Sequence, residues 1–179
     1  MDTNQLLRLL LNVVRKGQVL QVTHNPPKCR VATGELESAW IPWLAIAGET
    51  REWEPPTVGQ QVLLLCPGGE MADAVAVPGL YSDDLPAPST TPSAHVRAYP
   101  DGARIEYDHA THQMAATLPD GATVKASTIT LDGKTRCTGD LDVAGTVTAG
   151  GDVKVGSISL TGHKHMEMGD GKPVGPPLP

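Results

Sequence analysis

The feature that most constrains this chain is its second half, where short alternating stretches separated by glycine turns run from Val96 to Leu160. The residues that such strands would bury are mostly Val, Ala, Thr, Ile and Leu, and the whole chain contains no Phe. Side chains this small bury too little area in one chain to offset the entropy lost on ordering the strands. We therefore predict an intertwined oligomer, in which three copies form a narrow β-helix and pair each strand edge with a neighbour.

The first half of the chain has a different pattern. The pattern of residues 1–16 predicts an amphipathic helix, with Gly17 as the stop signal. Its apolar stripe must pack on its own domain or on a neighbouring subunit: Leu6, Leu7, Leu10, Val13 and Val14. Residues 17–82 contain five short β-like runs separated by Pro and Gly, which is typical of a small barrel: Gln18 to Thr23, Cys29 to Thr33, Trp40 to Ala47, Gln61 to Cys66 and Asp73 to Leu80.

Residues 83–95 have the composition of a linker. The stretch from Asp83 to Ala94 has three Pro and four Ser or Thr in twelve residues, which disfavours a packed structure. We predict a domain boundary here, followed by a β-helix shaft over residues 96–162 and a tip over residues 163–179.

Charge and cysteine content exclude several classes of protein. A net charge of -6 argues against general nucleic-acid binding and against adsorption to a membrane through a basic patch. The apolar run from Leu6 to Val14 is interrupted by polar residues and is neither a signal peptide nor a membrane span. The three cysteines are odd in number and widely spaced, which favours assembly in a reducing cytosol over a disulfide framework: Cys29, Cys66 and Cys137.

A series of short motifs, in this order, resembles the baseplate assembly protein V family, the central spike proteins of contractile phage tails. The motifs extend over nearly the whole chain: Gly17-Gln18-Val19, Cys29-Arg30-Val31, Trp40-Ile41-Pro42-Trp43-Leu44, Pro56-Thr57-Val58-Gly59-Gln60-Gln61-Val62-Leu63, Pro67-Gly68-Gly69-Glu70, Pro78-Gly79-Leu80-Tyr81-Ser82, Pro100-Asp101-Gly102-Ala103, Ile105-Glu106-Tyr107 and His163-Lys164-His165. Their order is more specific than any single motif.

The resemblance implies an all-β protein with an N-terminal helix, an OB-fold barrel, an intertwined trimeric β-helix shaft and a tip stapled by a metal. In that family the H-x-H pair of each chain binds iron on the three-fold axis, which here would be His163 and His165. Calcium and chloride occur inside the shaft of some relatives, and no ligands for them can be assigned in this sequence. The implied function is a non-enzymatic homotrimeric spike at the tip of the tail baseplate of the virion. It would contact other baseplate and tail tube proteins, bind no nucleic acid, pierce the host outer membrane, and be assembled in the host cytoplasm.

Geometry favours the two histidines as a ligand pair. In an extended strand, residues i and i+2 point to the same side, so His163 and His165 project together while Lys164 faces away. Three-fold symmetry turns two imidazoles into six. Imidazole suits Fe, Ni, Cu and Zn, and a six-ligand shell points away from structural zinc, which is almost always four-coordinate. Ile158 and Leu160 have even numbers and the histidines odd ones, so Thr161-Gly162 must shift the strand phase.

The other histidines, tryptophans and aspartates that could bind a ligand are better explained by structural roles. We interpret His109 and His112 as surface residues on a turn, because residues three apart share a face only on a helix. Packing in the core or at a subunit interface is favoured over a nucleic-acid platform for Trp40, Trp43 and Trp53. Ordinary turns are favoured over calcium ligation for five aspartates: Asp101, Asp120, Asp132, Asp140 and Asp152.

Two rival functions stay open at this point. The first is a cupin-like metalloenzyme that uses histidines, which would need a pocket and open coordination positions. The second is an OB-fold module that binds nucleic acid or sugar. No Ser/His/Asp, Cys/His or paired-carboxylate motif stands out in the sequence.

Overall fold

The computed structural model of this chain describes residues 2–164 and residue 169. It divides into two compact units, Met1–Thr123 and Val124–Pro179, which are treated separately here. Among the described residues, no helix has the length and apolar character needed to cross a membrane.

The N-terminal helix is shorter than the sequence pattern predicted. Helix α1 covers Thr3–Asn12, with Asp2 in extended conformation at its N-cap, and strand β1 begins at Val14. The predicted end at residue 16 is therefore wrong. Arg15 and Lys16 pair with Leu64 and Leu63 of a neighbouring strand, and these strand hydrogen bonds replace the last helical turn.

The strands after α1 form a five-stranded antiparallel sheet with the order β3-β2-β1-β4-β5. Their bounds are β1 Val14–His24, β2 Pro27–Thr33, β3 Leu36–Glu37, β4 Gln61–Leu65 and β5 Val75–Leu80. Two 3₁₀ turns, Pro67–Gly69 and Met71–Asp73, join β4 to β5. Four of the five predicted strand runs are confirmed in this sheet.

The fifth predicted run, residues 40–47, makes isolated bridges instead of a strand. Ile41 bridges to Cys29 of β2, and Trp43 bridges to Ala76 of β5. Pro42 lies between them and has no N–H to donate, which interrupts a regular ladder. The segment nevertheless connects β2, which is next to one edge of the sheet, with β5 at the other edge, as the closure of a small barrel requires.

The core of the first unit lies inside this sheet. Strands β2 and β4 alternate buried and less buried residues, with the period of two expected for strands that have one face in the core. The largest fully buried side chains are aliphatic or thiol: Val19, Cys29, Val31, Ile41, Val62, Leu64 and Cys66. Medium-sized side chains therefore fill this core, as the absence of Phe requires.

A separate three-stranded sheet follows in the same unit. Its strands are β6 Ala94–Ala98, β7 Arg104–Asp108 and β8 Gln113–Thr117, paired antiparallel in chain order. The predicted linker, residues 83–95, is mostly exposed and contains no strand before Ala94. The domain boundary proposed at these residues stays a prediction.

The described part of the second unit is extended and exposed. Its strands are two short ones, β9 Lys154–Val155 and β10 Ile158–Ser159, which form an antiparallel hairpin. From residue 124 to residue 164 every residue is exposed except the half-buried Ser159. The predicted β-helix needs strands from neighbouring chains and stays a prediction.

Candidate functional site

The candidate site is a short hairpin that leads into the histidine motif, here called the tip hairpin and defined as residues 152–163. Strands β9 and β10 pair through Ile158 with Val155 and Ser159 with Lys154. The connecting turn contains Gly156 at a φ of 62°, a left-handed conformation that glycine adopts without steric cost. The Leu160 N–H donates to the Val153 carbonyl at 2.9 Å and extends the pairing beyond the strands.

Asp152 fastens the two ends of the tip hairpin. Its Oδ1 accepts from the Thr161 backbone N–H at 3.3 Å and from the Thr161 hydroxyl at 3.0 Å. A side-chain hydrogen bond with Ser159, together with these bonds from Thr161, lowers the pKa of Asp152 below its usual value. The ionised carboxylate is therefore the form that the hairpin favours.

His163 lies at the end of this hairpin. Its backbone N–H donates to the Ser159 carbonyl at 3.0 Å, and its Nδ1 is 3.0 Å from the same oxygen and 3.1 Å from the Leu160 carbonyl oxygen. A carbonyl oxygen can only accept, so Nδ1 carries the proton and, in the neutral ring, Nε2 carries the lone pair. A backbone partner that holds one ring nitrogen in this way is typical of metal-binding histidines.

The strand phase is interrupted before the histidines. Strand β10 ends at Ser159, and the bond from the His163 N–H to Ser159 closes a turn over the residues between them. Gly162 takes part in this turn, since its N–H donates to the Ser159 hydroxyl at 2.9 Å. The alternation of side-chain directions along β10 therefore does not continue to His163 and does not determine where its ring points. His165, the second predicted ligand, lies outside the described residues.

Within residues 2–164 and 169, no group of three or more His, Cys, Asp or Glu side chains is placed to hold a metal ion in a single chain. The predicted iron site takes two histidines from each of three chains. Of that set the structure describes only His163, so the metal site stays a prediction.

The other sequence candidates lie apart from the tip hairpin or form ordinary turns. His109 and His112 are exposed at the β7–β8 connection, which confirms their interpretation as surface residues. Asp101 accepts from the Ala103 N–H at 2.9 Å, which is an ordinary Asx turn. The turn reading is thus confirmed for Asp101 and also for Asp152, whose bonds fasten a hairpin.

The three tryptophans differ in burial. Trp43 packs against the core, while Trp40 and Trp53 are 43% and 63% exposed. The Trp53 ring is 5.9 Å from the Trp43 ring and 6.0 Å from that of His24, in tilted contacts. Core packing is confirmed for Trp43.

Sequence reasoning missed two features. It treated Asp152 as one turn residue among five, although a polar partner nine positions later, Thr161, was available to close a hairpin. It also left open what covers the apolar stripe of α1, and the structure shows that the barrel does not: Leu6, Leu7, Leu10 and Leu11 are all more than half exposed.

Comparison with known proteins agrees with this architecture. A family model described as the Type VI secretion system/phage-baseplate injector OB domain matches residues 15–81, which cover the barrel from β1 to β5. Residues 15–81 are therefore an OB domain of the baseplate-injector class.

One curated relative matches over almost the full length. The spike protein of Escherichia phage P2 is 39% identical over an alignment of 210 positions that covers 99% of this chain and 98% of the P2 protein. This chain belongs to the baseplate assembly protein V family of phage tail spike proteins, which confirms the resemblance found in the sequence. It is a structural component of the virion tail and not an enzyme.

Proposed function

We propose that this chain forms the trimeric central spike of a contractile phage tail and pierces the host outer membrane when the tail contracts. The observation that carries the proposal is the similarity to the P2 spike protein, which covers 99% of this chain and is therefore not confined to the barrel. Similarity confined to the barrel would support only a shared attachment domain.

The exposure of the second unit supports the trimer. Apolar side chains there face solvent in the single chain. Five of them have exposed fractions of 67–74%: Val124, Leu131, Leu141, Val147 and Val155. So many exposed apolar side chains indicate a surface that a partner covers. Three copies of the same stretch would cover one another and supply the strand neighbours that residues 124–153 lack.

The two halves would divide the mechanical work. The barrel has a closed apolar core and would join the spike to other baseplate proteins and to the tail tube. The shaft would transmit the thrust of sheath contraction, and a narrow tip would concentrate that force on the outer membrane. Neither task needs a catalytic group.

At the tip, His163 and His165 of three chains would hold one iron ion. The Nδ1–H bonds of His163 to two backbone carbonyls support this role, because they set the Nε2 lone pair as the ligating atom and orient the ring. Bound iron would join the three chain ends, so that they resist splaying under load.

The oligomeric mass of the purified full-length chain tests the structural part of the proposal. Light scattering should return three times the chain mass of 18.8 kDa. A stable folded monomer would remove the basis for the shaft and for the shared metal site.

Virions that carry the double substitution His163→Ala and His165→Ala test the mechanical part. They should assemble and adsorb normally, because the barrel and most of the shaft are unchanged, but should release their genome into fewer cells. Virions with Lys164→Ala serve as the matched control, since this residue lies between the two histidines. Normal infectivity of the double mutant would refute a mechanical role of the metal.

A further inference from the structure

The apolar face of α1 is turned away from the barrel. Leu9 and Asn12 lie on the side that contacts the barrel, where the Leu9 backbone approaches Gly69 and Asn12 is only 9% exposed. With 3.6 residues per turn, the leucines on the opposite side form one stripe. Their exposed fractions run from 52% to 67%: Leu6, Leu7, Leu10 and Leu11. The helix thus packs its mixed face on the barrel and leaves its most apolar face uncovered.

Hydrogen bonds to the barrel fix this orientation of α1. The Cys66 N–H donates to the Val13 carbonyl at 2.9 Å directly after the helix. Arg15 donates to the Asn12 side-chain oxygen at 2.8 Å and to the Thr33 hydroxyl at 3.0 Å. Rotating α1 to bury its leucines would break these bonds, so the stripe stays exposed unless another molecule covers it.

We propose that the stripe is a contact surface between the α1 helices of neighbouring copies of this chain. The inference rests on the proposed trimer. Four half-exposed leucines present a few hundred Å², the scale at which an apolar patch marks an interaction site. A stable interface between independent proteins buries about 800 Å² per partner, which is more than this stripe offers. A second copy of the chain that the shaft already holds nearby is at a high effective concentration. It can therefore keep this contact with less buried area than an independent protein would need.

The spacing and charge of the stripe also favour a second copy. Leu6 and Leu10 of the stripe and the adjoining Val13, the residue directly after the helix, are separated by four and then three residues, the a/d spacing by which identical helices pack on each other. The only charged residue within α1, Arg8, lies beside the stripe and is 3.9 Å from Glu70 of its own chain. In a chain with a net charge of -6, an uncharged face lets identical copies meet without repulsion.

Cysteine cross-linking of the full-length protein tests this inference. In a Cys137→Ser background the remaining native thiols, Cys29 and Cys66, are buried. Leu10→Cys places a thiol in the stripe, and Arg8→Cys places one on the same helix, with a native side chain that is 58% exposed, but outside the stripe. After mild oxidation, the position 10 variant should form at least about ten times more disulfide-linked pairs of chains than the position 8 control. Light scattering on each variant establishes the trimer independently.

The outcomes separate this inference from the proposed function. A monomeric protein would overturn both, whereas a trimer whose position 10 thiols link no better than those at position 8 would overturn the inference alone. An introduced thiol at position 10 that reacts freely in the purified trimer and is protected only in assembled tails would identify another tail protein as the occupant. That result would also overturn the inference.

Discussion

Gly69 lies directly against the backbone of Leu9, so close that a Cβ atom on the glycine would overlap the leucine carbonyl group. Gly69 also has a φ of 79°, a left-handed conformation that residues other than glycine rarely adopt. The contact seats α1 on the 3₁₀ turn after β4. Its consequence is that the helix and the barrel form one folded piece, although few side chains are buried between them.

Replacing Gly69 with Ala should therefore destabilise the protein. We expect a loss of roughly 2 to 5 kcal/mol in the free energy of unfolding, from the left-handed backbone and the overlap together. Gly68→Ala is the matched control, because Gly68 has a φ of 64° and no atom within 4 Å of an added Cβ. It should lose only about 1 to 2 kcal/mol. Denaturant unfolding at equal protein concentration measures both, and equal losses would show that the contact with Leu9 does not constrain the helix.

Two of the three thiols should be unreactive in the native protein. Cys29 and Cys66 are 0% and 1% exposed, and burial raises the pKa of both thiols, partly opposed at Cys66 by the Arg15 guanidinium. Thiolates are the reactive form, so burial and pKa act together. A thiol reagent at neutral pH should label at most one cysteine per chain, Cys137, and all three after denaturation. Rapid native labelling of Cys29 would contradict the closed core.

Protection from trypsin should reveal whether the second unit is covered by other chains. Lys125, Lys134 and Arg136 are exposed in the single chain, with no strand around them. A trimeric β-helix would pair and cover this backbone, and cleavage needs a locally unfolded segment. We expect these sites to resist trypsin in the native protein and to be cut after heating and cooling in denaturant. Fast native cleavage at all three sites would count against the shaft.

Much of the barrel was predictable because its strands alternate buried and exposed residues and are separated by Pro and Gly. The end of α1 was not, because Val13 and Val14 continue the apolar period of the helix while their backbone joins β1. The isolated bridges of Ile41 and Trp43 could not be predicted either, because the residues around Pro42 have the composition of a β-strand. Local pattern does not report which partner strand supplies the hydrogen bonds.

The histidine motif was predictable only through its resemblance to a family and its i, i+2 spacing. The turn that sets His163 depends on hydrogen bonds of Ser159, Thr161 and Asp152, which involve side chains up to nine positions apart. These residues are common in ordinary turns. Their roles in orienting the histidine emerge from the folded hairpin and not from any one residue.

Asp152 should hold the tip hairpin only while it is ionised. Its pKa is lowered in the folded chain, so its stabilising effect is present above the usual aspartate pKa of about 3.9 and is lost as pH falls below that value. Asp152→Ala should reproduce the acid effect at neutral pH, because it removes the carboxylate that accepts the Thr161 hydrogen bonds. Faster exchange of the Thr161 amide proton in this variant, measured by NMR, would confirm the link. Asp142→Ala, an exposed aspartate outside the hairpin, is the control and should leave that rate unchanged.

Metal content tests the proposed tip directly. Protein produced with iron available should contain one iron per three chains, and His163→Ala with His165→Ala should contain none while remaining trimeric. Acid should release the metal, because protons compete with it for the imidazole nitrogens. Asp152→Ala should retain iron but lose it more rapidly to a chelator, since the turn that orients His163 is weakened while its ligand atoms remain. Equal iron in the double mutant and the parent protein, or no transition metal in either, would leave His163 and His165 as ordinary surface residues.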